Sequence, residues 1–162
     1  MPLNPRVTLV GAVSVLTLAL SSSAALASGG DDNHLIRAKF TPSLPTDPPI
    51  NGVDPGGLPW VLNSGEVRVR EDGRMDVRLD GLQIPRNGGE DNPVAVISAV
   101  LYCGGVRVAD SGPQPLTVPE GDARFRVILT VPEQCDMATV LIQPRAATYI
   151  ASAAATGDHH ED

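Results

Sequence analysis

Apolar and polar side chains alternate along residues 65–81, GEVRVREDGRMDVRLDG. A period of two places successive side chains on opposite faces of a strand, so the segment predicts a half-buried antiparallel hairpin. A two-residue turn would set Val69 opposite Asp76, whereas a three-residue loop at 71–73 sets Val69 opposite Met75. Because the longer loop aligns apolar side chains with apolar ones, we predict the hairpin in that register.

The same register sorts the charges of the hairpin. It places Arg68 across from Asp76 and Glu66 across from Arg78, and it puts Gly73 where a type I turn with a G1 bulge requires a left-handed residue. We interpret the arginines as the solvated side of a charge-paired ribbon, because basic stripes that bind nucleic acid are not normally interleaved with acids.

Residues 94–103, VAVISAVLYC, are apolar on both faces, which predicts a central strand. The glycines at 104–105 favour a two-residue turn into the next strand. The predicted cross-strand pairs are Cys103 with Val106, Tyr102 with Arg107 and Leu101 with Val108.

Further strands are predicted at 60–62, 123–131, 138–143 and 147–153, separated by Gly and Pro signals. In the second of these, Arg124 and Arg126 point outward; Phe125, Val127, Leu129 and Val131 point inward. Trp60 is expected to fill the core. About eight short strands without a helical pattern predict an all-β fold, an antiparallel immunoglobulin-like β-sandwich.

The ends of the chain differ from its middle. Residues 1–27 have a short basic start, an apolar run and small residues before Ala27, which predicts a signal peptide and a secreted product with no membrane span. Residues 28–59 are rich in proline and predict an extended, polyproline-like leader, which we interpret as a disordered tether, with a recognition segment as the alternative. The β-sandwich domain is then expected at 60–152, followed by an acidic, histidine-containing tail at 153–162.

Charge and cysteine content narrow the function classes. The chain carries 12 Lys and Arg against 19 Asp and Glu, a formal charge of -7, which argues against nucleic acid as a partner. Cys103 and Cys135 are the two cysteines, and in an exported domain they are expected to form a disulfide. A reactive thiol or metal pair is the alternative, but there is no CxxC spacing.

Residues with catalytic chemistry are scarce. The histidines, His34, His159 and His160, all lie in the predicted leader or tail, so a histidine triad inside the fold is not expected. GxSxG, GxGxxG and GxxxxGK do not occur, and we predict no catalytic residue and no cofactor.

Two acidic groups are candidates for metal binding. Loop acids could meet at one end of a sandwich and bind Ca²⁺ with Asn92, although such residues also form ordinary turns. These acids are Glu90, Asp91, Glu120 and Asp122. Asp31, Asp32 and His34 with the terminal DHHED could hold a transition metal at low affinity. The chain has few aromatic residues, so few aromatic side chains remain that could stack against sugar rings.

The segments GEVRVREDGRMDVRLDGL, NPVAVISAVLYCGG and PEGDARFRVILTVPEQC resemble small exported β-rich proteins of high-GC Gram-positive bacteria, over about residues 54–150. The resemblance implies a secreted domain with one disulfide and carries no activity.

Three functions are consistent with these patterns. The first is a non-enzymatic extracellular protein that binds a protein or cell-wall component. The second is a protease inhibitor that presents the proline-rich loop at 111–121, since prolines reduce the entropy lost on docking. The third is a Ca²⁺-dependent enzyme built on the loop carboxylates.

Overall fold

Residues 33–86 and 89–155 are described by a computed structural model, and no helix occurs among them. The predicted all-β class with antiparallel sheets is confirmed. The predicted signal peptide and most of the predicted tail lie outside the described residues. No helix that could span a membrane is found in the described part of the chain.

The strands are short, and residues 33–86 and 89–155 contain fourteen of them where about eight were predicted. In chain order they are β1 (His34–Lys39), β2 (Thr41–Pro42), β3 (Asp54–Pro55), β4 (Ser64–Arg70), β5 (Arg74–Asp80), β6 (Ile84–Arg86), β7 (Gly89–Asp91), β8 (Val96–Cys103), β9 (Val106–Asp110), β10 (Gln114–Pro115), β11 (Ala123–Ile128), β12 (Thr139–Gln143), β13 (Thr148–Tyr149) and β14 (Ala151–Ala154).

A four-stranded antiparallel sheet has the order β1-β4-β5-β11. Its central hairpin has the predicted register, with Val67 opposite Val77 and Val69 opposite Met75. Gly73 has the predicted left-handed backbone, with a φ of 85°. The hairpin was predictable because only one loop length pairs its buried side chains.

Gly73 is a position in this hairpin where an added side chain is expected to be costly. The Leu129 backbone N donates to the Gly73 carbonyl oxygen at 2.8 Å, and a Cβ at residue 73 would lie 2.0 Å from the Leu129 carbonyl oxygen. Gly52 has a similar φ of +78° but no atom within 4 Å of an added Cβ.

We expect Gly73→Ala to lower the free energy of unfolding by about 3 kcal/mol or more. The matched Gly52→Ala variant should lose about 1–2 kcal/mol, the cost of a left-handed backbone alone. Urea denaturation measures both values. Equal losses would mean that the Leu129 backbone moves aside without cost.

A six-stranded sheet is built around β8, which pairs with β12 on one side and with β9 and β10 on the other. The predicted pairs of Cys103 with Val106 and of Tyr102 with Arg107 are confirmed. Leu101, however, pairs with Ala109 and not with Val108, because the register shifts between Leu101 and Tyr102.

The six-stranded sheet packs against other parts of the chain on both faces, although the second face is covered only in part. One face shares a core with the four-stranded sheet, and that core contains Leu101 and Val140 together with Val69 and Met75. The opposite face carries a second, smaller cluster of buried residues. Its members are Val53, Val100, Tyr102, Leu141 and Tyr149.

The predicted leader at 28–59 is corrected by these contacts. From His34 onward it supplies strands to both large sheets, and Phe40 and Val53 are 6% exposed. The Tyr149 hydroxyl donates to the Pro48 carbonyl oxygen at 3.1 Å. Because β8 is apolar on both faces, its second face needs a cover, and this segment provides part of it.

The predicted start of the folded part at residue 60 is therefore too late. Trp60 is buried as predicted, at 5% exposure. The predicted strand at 60–62 is reduced to a single bridge between Val61 and Gln83. All described residues belong to one compact unit.

Candidate functional site

The outward side chains of β1, β4, β5 and β11 form a strongly charged surface, which we call the arginine face. They are outward because the alternate side chains of the same strands pack into the core. The charged members are Arg37, Lys39, Glu66, Arg68, Arg70, Arg74, Asp76, Arg78, Asp80, Arg124 and Arg126.

This surface has the opposite charge to the whole chain. Its eight basic side chains are two-thirds of the 12 in the sequence, and they face three acidic ones, a formal charge of +5. The chain as a whole carries -7. The fold therefore concentrates most of its positive charge on one sheet face.

The strand register arranges the charges in rows that cross the sheet. One row contains Lys39, Glu66, Arg78 and Arg124, and the next contains Arg37, Arg68, Asp76 and Arg126. Each row thus has three basic residues and one carboxylate. Neighbouring positions in a row are separated by one strand spacing, about 4.8 Å.

Two pairs of arginines stand directly opposite each other across neighbouring strands. Arg37 is in register with Arg68, and Arg78 is in register with Arg124. Like charges in directly opposed positions destabilise a sheet. Residues that lower the stability of a fold are expected mainly at functional surfaces. These opposed arginines therefore mark the arginine face as a candidate binding site.

The ion pairs on the face differ from the predicted ones. Asp76 is opposite Arg68 as predicted, but its carboxylate contacts Arg126 on the neighbouring strand. Arg68 instead lies 3.7 Å from Glu66 along its own strand. The predicted ribbon is therefore correct in register, and its charges are shared with β11.

Asp80 forms an ion pair with Arg78, one of the directly opposed arginines. Its carboxylate lies 3.1 Å from the Arg78 guanidinium and accepts from the Ser64 hydroxyl at 2.7 Å. The Ser64 hydrogen bond and the charge of Arg78 keep the pKa of Asp80 below its usual value, against the effect of desolvation. This interaction stabilises the fold above the unfolded-state pKa and is lost as the pH falls through the folded-state pKa.

Five basic side chains of the face have no ion pair with another described residue. They are Arg37, Lys39, Arg70, Arg74 and Arg124. An open depression of about 500 Å³ lies over β4, β5 and β11. Arginines from all three strands line it, and its volume is in the range of ligand sites, about 300–1,000 Å³.

Asn92, one of the predicted Ca²⁺ ligands, has a structural role. It is fully buried. Its side-chain amide donates to the carbonyl oxygens of Val94 and Thr117 at 2.7 and 2.8 Å, and its side-chain oxygen accepts from the Val94 backbone at 2.8 Å. These hydrogen bonds connect the loop that contains Asn92 and Val94 with the loop that contains Thr117. The Asn92 side chain is therefore used within the fold and is not available as a ligand for an ion.

The predicted acidic ligands are also used within the fold. Asp122 accepts a hydrogen bond from the Gly81 backbone at 2.8 Å, Asp91 lies 4.0 Å from Arg86, and Glu120 is exposed. The side chain of Glu90 lies outside the described part. Among the described residues, no group of three His, Cys, Asp or Glu side chains could hold a metal ion, and the structure gives the Ca²⁺ prediction no support.

Most of the second predicted metal group lies outside the described residues. Asp31, Asp32 and residues 156–162 belong to this undescribed part. His34 belongs to strand β1 and not to a flexible leader. Its Nδ1 atom is buried and has no hydrogen-bond partner among the described residues.

The predicted disulfide between Cys103 and Cys135 is confirmed, with the two Cα atoms 4.8 Å apart. The alternative of a reactive thiol or metal pair is excluded by this bond. The disulfide joins the end of β8 to the segment between β11 and β12.

The arginine face was missed by reasoning from sequence. The outward direction of Arg124 and Arg126 was predicted, but nothing local indicates that β11 lies beside β5. Comparisons with protein-family models, curated proteins and solved structures find no match. The function is therefore argued from the geometry of the face.

Proposed function

We propose that this chain is an exported, non-enzymatic binding protein with an immunoglobulin-like frame, and that its arginine face binds an anionic partner outside the cell. The single observation that carries the proposal is the collection of eight basic residues on one face of an acidic protein. Such a surface attracts anions at close range.

The negative charge of the whole chain does not oppose this partner. Exposed charges are screened beyond about 10 Å at 0.1 M salt, so a bound ligand responds mainly to the face that it touches. The net charge therefore disfavours polyanions for the chain as a whole but not for this sheet face.

Export is supported by two features. Residues 1–27 have the pattern of a cleavable signal peptide. The disulfide between Cys103 and Cys135 fits an oxidising compartment. A binding role is further supported by the sequence between residues 35 and 158, which has no histidine for acid-base catalysis.

The protease-inhibitor alternative is less well supported by the loop at 111–121. Its tip folds into a closed turn, because the Gly121 backbone N donates to the Thr117 carbonyl oxygen at 2.8 Å. The Pro119 carbonyl oxygen accepts from the Asn92 backbone N at 2.9 Å. A protease would need an extended backbone with these groups accessible.

The binding proposal is tested with charge reversal. Long-chain inorganic polyphosphate, poly-L-glutamate and an oligo-dT strand are titrated at 50 mM salt. At least one should bind, and Arg124→Glu with Arg126→Glu should weaken binding about 10- to 100-fold through the loss of two charge-assisted contacts. The control is Arg107→Glu with Arg145→Glu, which makes the same change in net charge away from the face.

The thermal stability of each variant accompanies the titration. Arg124→Glu removes a like-charge pair and sets a carboxylate opposite Arg78, so this change alone should not lower the melting temperature. Arg126→Glu removes the ion pair with Asp76 and sets two carboxylates opposite each other, so the double variant should melt somewhat below the wild type. Asp80 is only a diagonal neighbour of residue 124, and its lost attraction is the smaller effect. No binding by any polymer, or equal losses in the two double variants, would contradict the proposal.

A further inference from the structure

We infer that the ligand of the arginine face is a linear polymer of phosphate groups without stacking bases. The inference rests on the proposed function and adds the chemical class of the partner. It follows from three features of the face: it lacks an aromatic platform and an apolar centre, it has directly opposed arginines, and its charged positions are regularly spaced.

The face offers no aromatic platform. Among the described residues, Phe40, Trp60, Tyr102 and Tyr149 are buried in the core clusters. Phe125 is among the residues that line the depression, but it is partly buried and packs against the core. Single-stranded nucleic acids are bound by stacking their bases on exposed aromatic rings. A nucleic acid would therefore gain only its backbone contacts here.

The face also lacks an apolar centre. Ile128, which is 70% exposed, lies at the last position of β11, outside the two charged rows. Protein interfaces place aromatic and aliphatic anchors at their centre, and peripheral membrane proteins insert apolar side chains below the headgroups. A ligand recognised through its anionic groups alone fits the surface better.

The opposed arginines favour phosphate over carboxylate. A carboxylate has two oxygens in one plane, and one guanidinium fork binds both of them bidentately. The oxygens of a tetrahedral phosphate point out of any one plane, so guanidinium groups from two neighbouring strands can contact it together. Arg78 and Arg124 form such a pair, and a bound phosphate would relieve their mutual repulsion.

The number and spacing of the arginines favour a chain of phosphates over one isolated ion. Charged positions repeat about every 4.8 Å across the strands and about every 6.7 Å along them. Asp76 and Asp80 hold Arg126 and Arg78 on the surface, while five further basic groups have no ion pair with a described residue. A polymer crossing the depression can contact several of these groups at once.

Competition between chemically matched probes tests the inference. Binding of the proposed mature chain, residues 28–162, is measured for long-chain inorganic polyphosphate, poly-L-glutamate of equal charge number, oligo-dT and vesicles containing anionic lipid. Polyphosphate should bind at least about 10-fold more tightly than each of the others. With about five phosphate contacts, its affinity should fall about 100-fold between 50 and 200 mM salt.

A charge-preserving variant tests the role of the guanidinium forks. Arg78→Lys with Arg124→Lys keeps both charges but loses the planar donors. It should bind polyphosphate about 10-fold more weakly. The loss for poly-L-glutamate should be smaller, because each carboxylate uses one fork and not the pair of forks. Arg107→Lys with Arg145→Lys is the matched control and should change neither affinity.

The outcomes separate the two proposals. If poly-L-glutamate, oligo-dT or the vesicles bind as tightly as polyphosphate, or the lysine variant binds polyphosphate normally, the phosphate inference is overturned and an anionic binding face remains. If no polymer binds at 50 mM salt, both proposals fail.

Discussion

A chain that begins at residue 60 is expected to remain unfolded, although it contains the whole of the predicted 60–152 sandwich. The truncation removes strands β1, β2 and β3 and the buried side chains of Ile36, Phe40 and Val53. Burial of each such side chain contributes about 1.5–3 kcal/mol. Their sum approaches the whole stability of an ordinary domain, about 5–15 kcal/mol.

Circular dichroism with thermal melting, carried out on residues 60–162 and on the proposed mature chain 28–162, measures this effect. The longer chain should melt cooperatively and the shorter one should show no transition. Phe40→Ala in the longer chain gives a graded version, with an expected loss of about 3–5 kcal/mol. A cooperative transition in residues 60–162 would show that the segment before Trp60 is an accessory to the fold.

The segment before Trp60 was misread from sequence because its prolines conceal short strands. Pro42 and Pro55 each occupy strands of only two residues, at positions where a missing N–H is tolerated. The signal that could have revealed the segment lies elsewhere in the chain. Residues 94–103 are apolar on both faces, so a second covering layer had to exist, and the proline-rich segment was still unassigned.

The local parts of the fold were predictable in detail. The register of the β4–β5 hairpin followed from matching Val67 and Val69 with their partners, since a shift by one residue would expose them. The β8–β9 turn was correct for its first two pairs and failed at Leu101, because a bulge there leaves no trace in the alternation of residue types.

The candidate site depends on contacts that are distant in sequence. The hairpin alone balances Arg68 against Asp76 and so looks like an ordinary solvated face. Arg37 and Arg124 come from segments on either side of it, and the sheet order alone adds them to the face. Charge patterning along one hairpin therefore could not predict a net positive surface.

Removal of the disulfide is expected to lower the free energy of unfolding by about 4 kcal/mol. Cys103 and Cys135 are separated by 32 positions, and opening a loop of that length returns conformational entropy to the unfolded chain. The double variant Cys103→Ser with Cys135→Ser should melt about 10–20 °C below the wild type. Calorimetry of both proteins measures the difference.

Reduction of the wild type provides an independent control, because dithiothreitol should lower its melting temperature to that of the double variant and leave the variant unchanged. The loop closed by the disulfide contains β11, which belongs to the four-stranded sheet, while Cys103 ends β8 of the other sheet. The bond therefore restricts the chain where it crosses from one sheet to the other and back. The Gly104 backbone N also donates to the Asp136 carbonyl oxygen at 2.7 Å next to the bond. If reduction lowers the melting temperature by less than about 3 °C, such neighbouring contacts are sufficient to keep the chain in place between the two sheets. The loop-closure argument is then wrong.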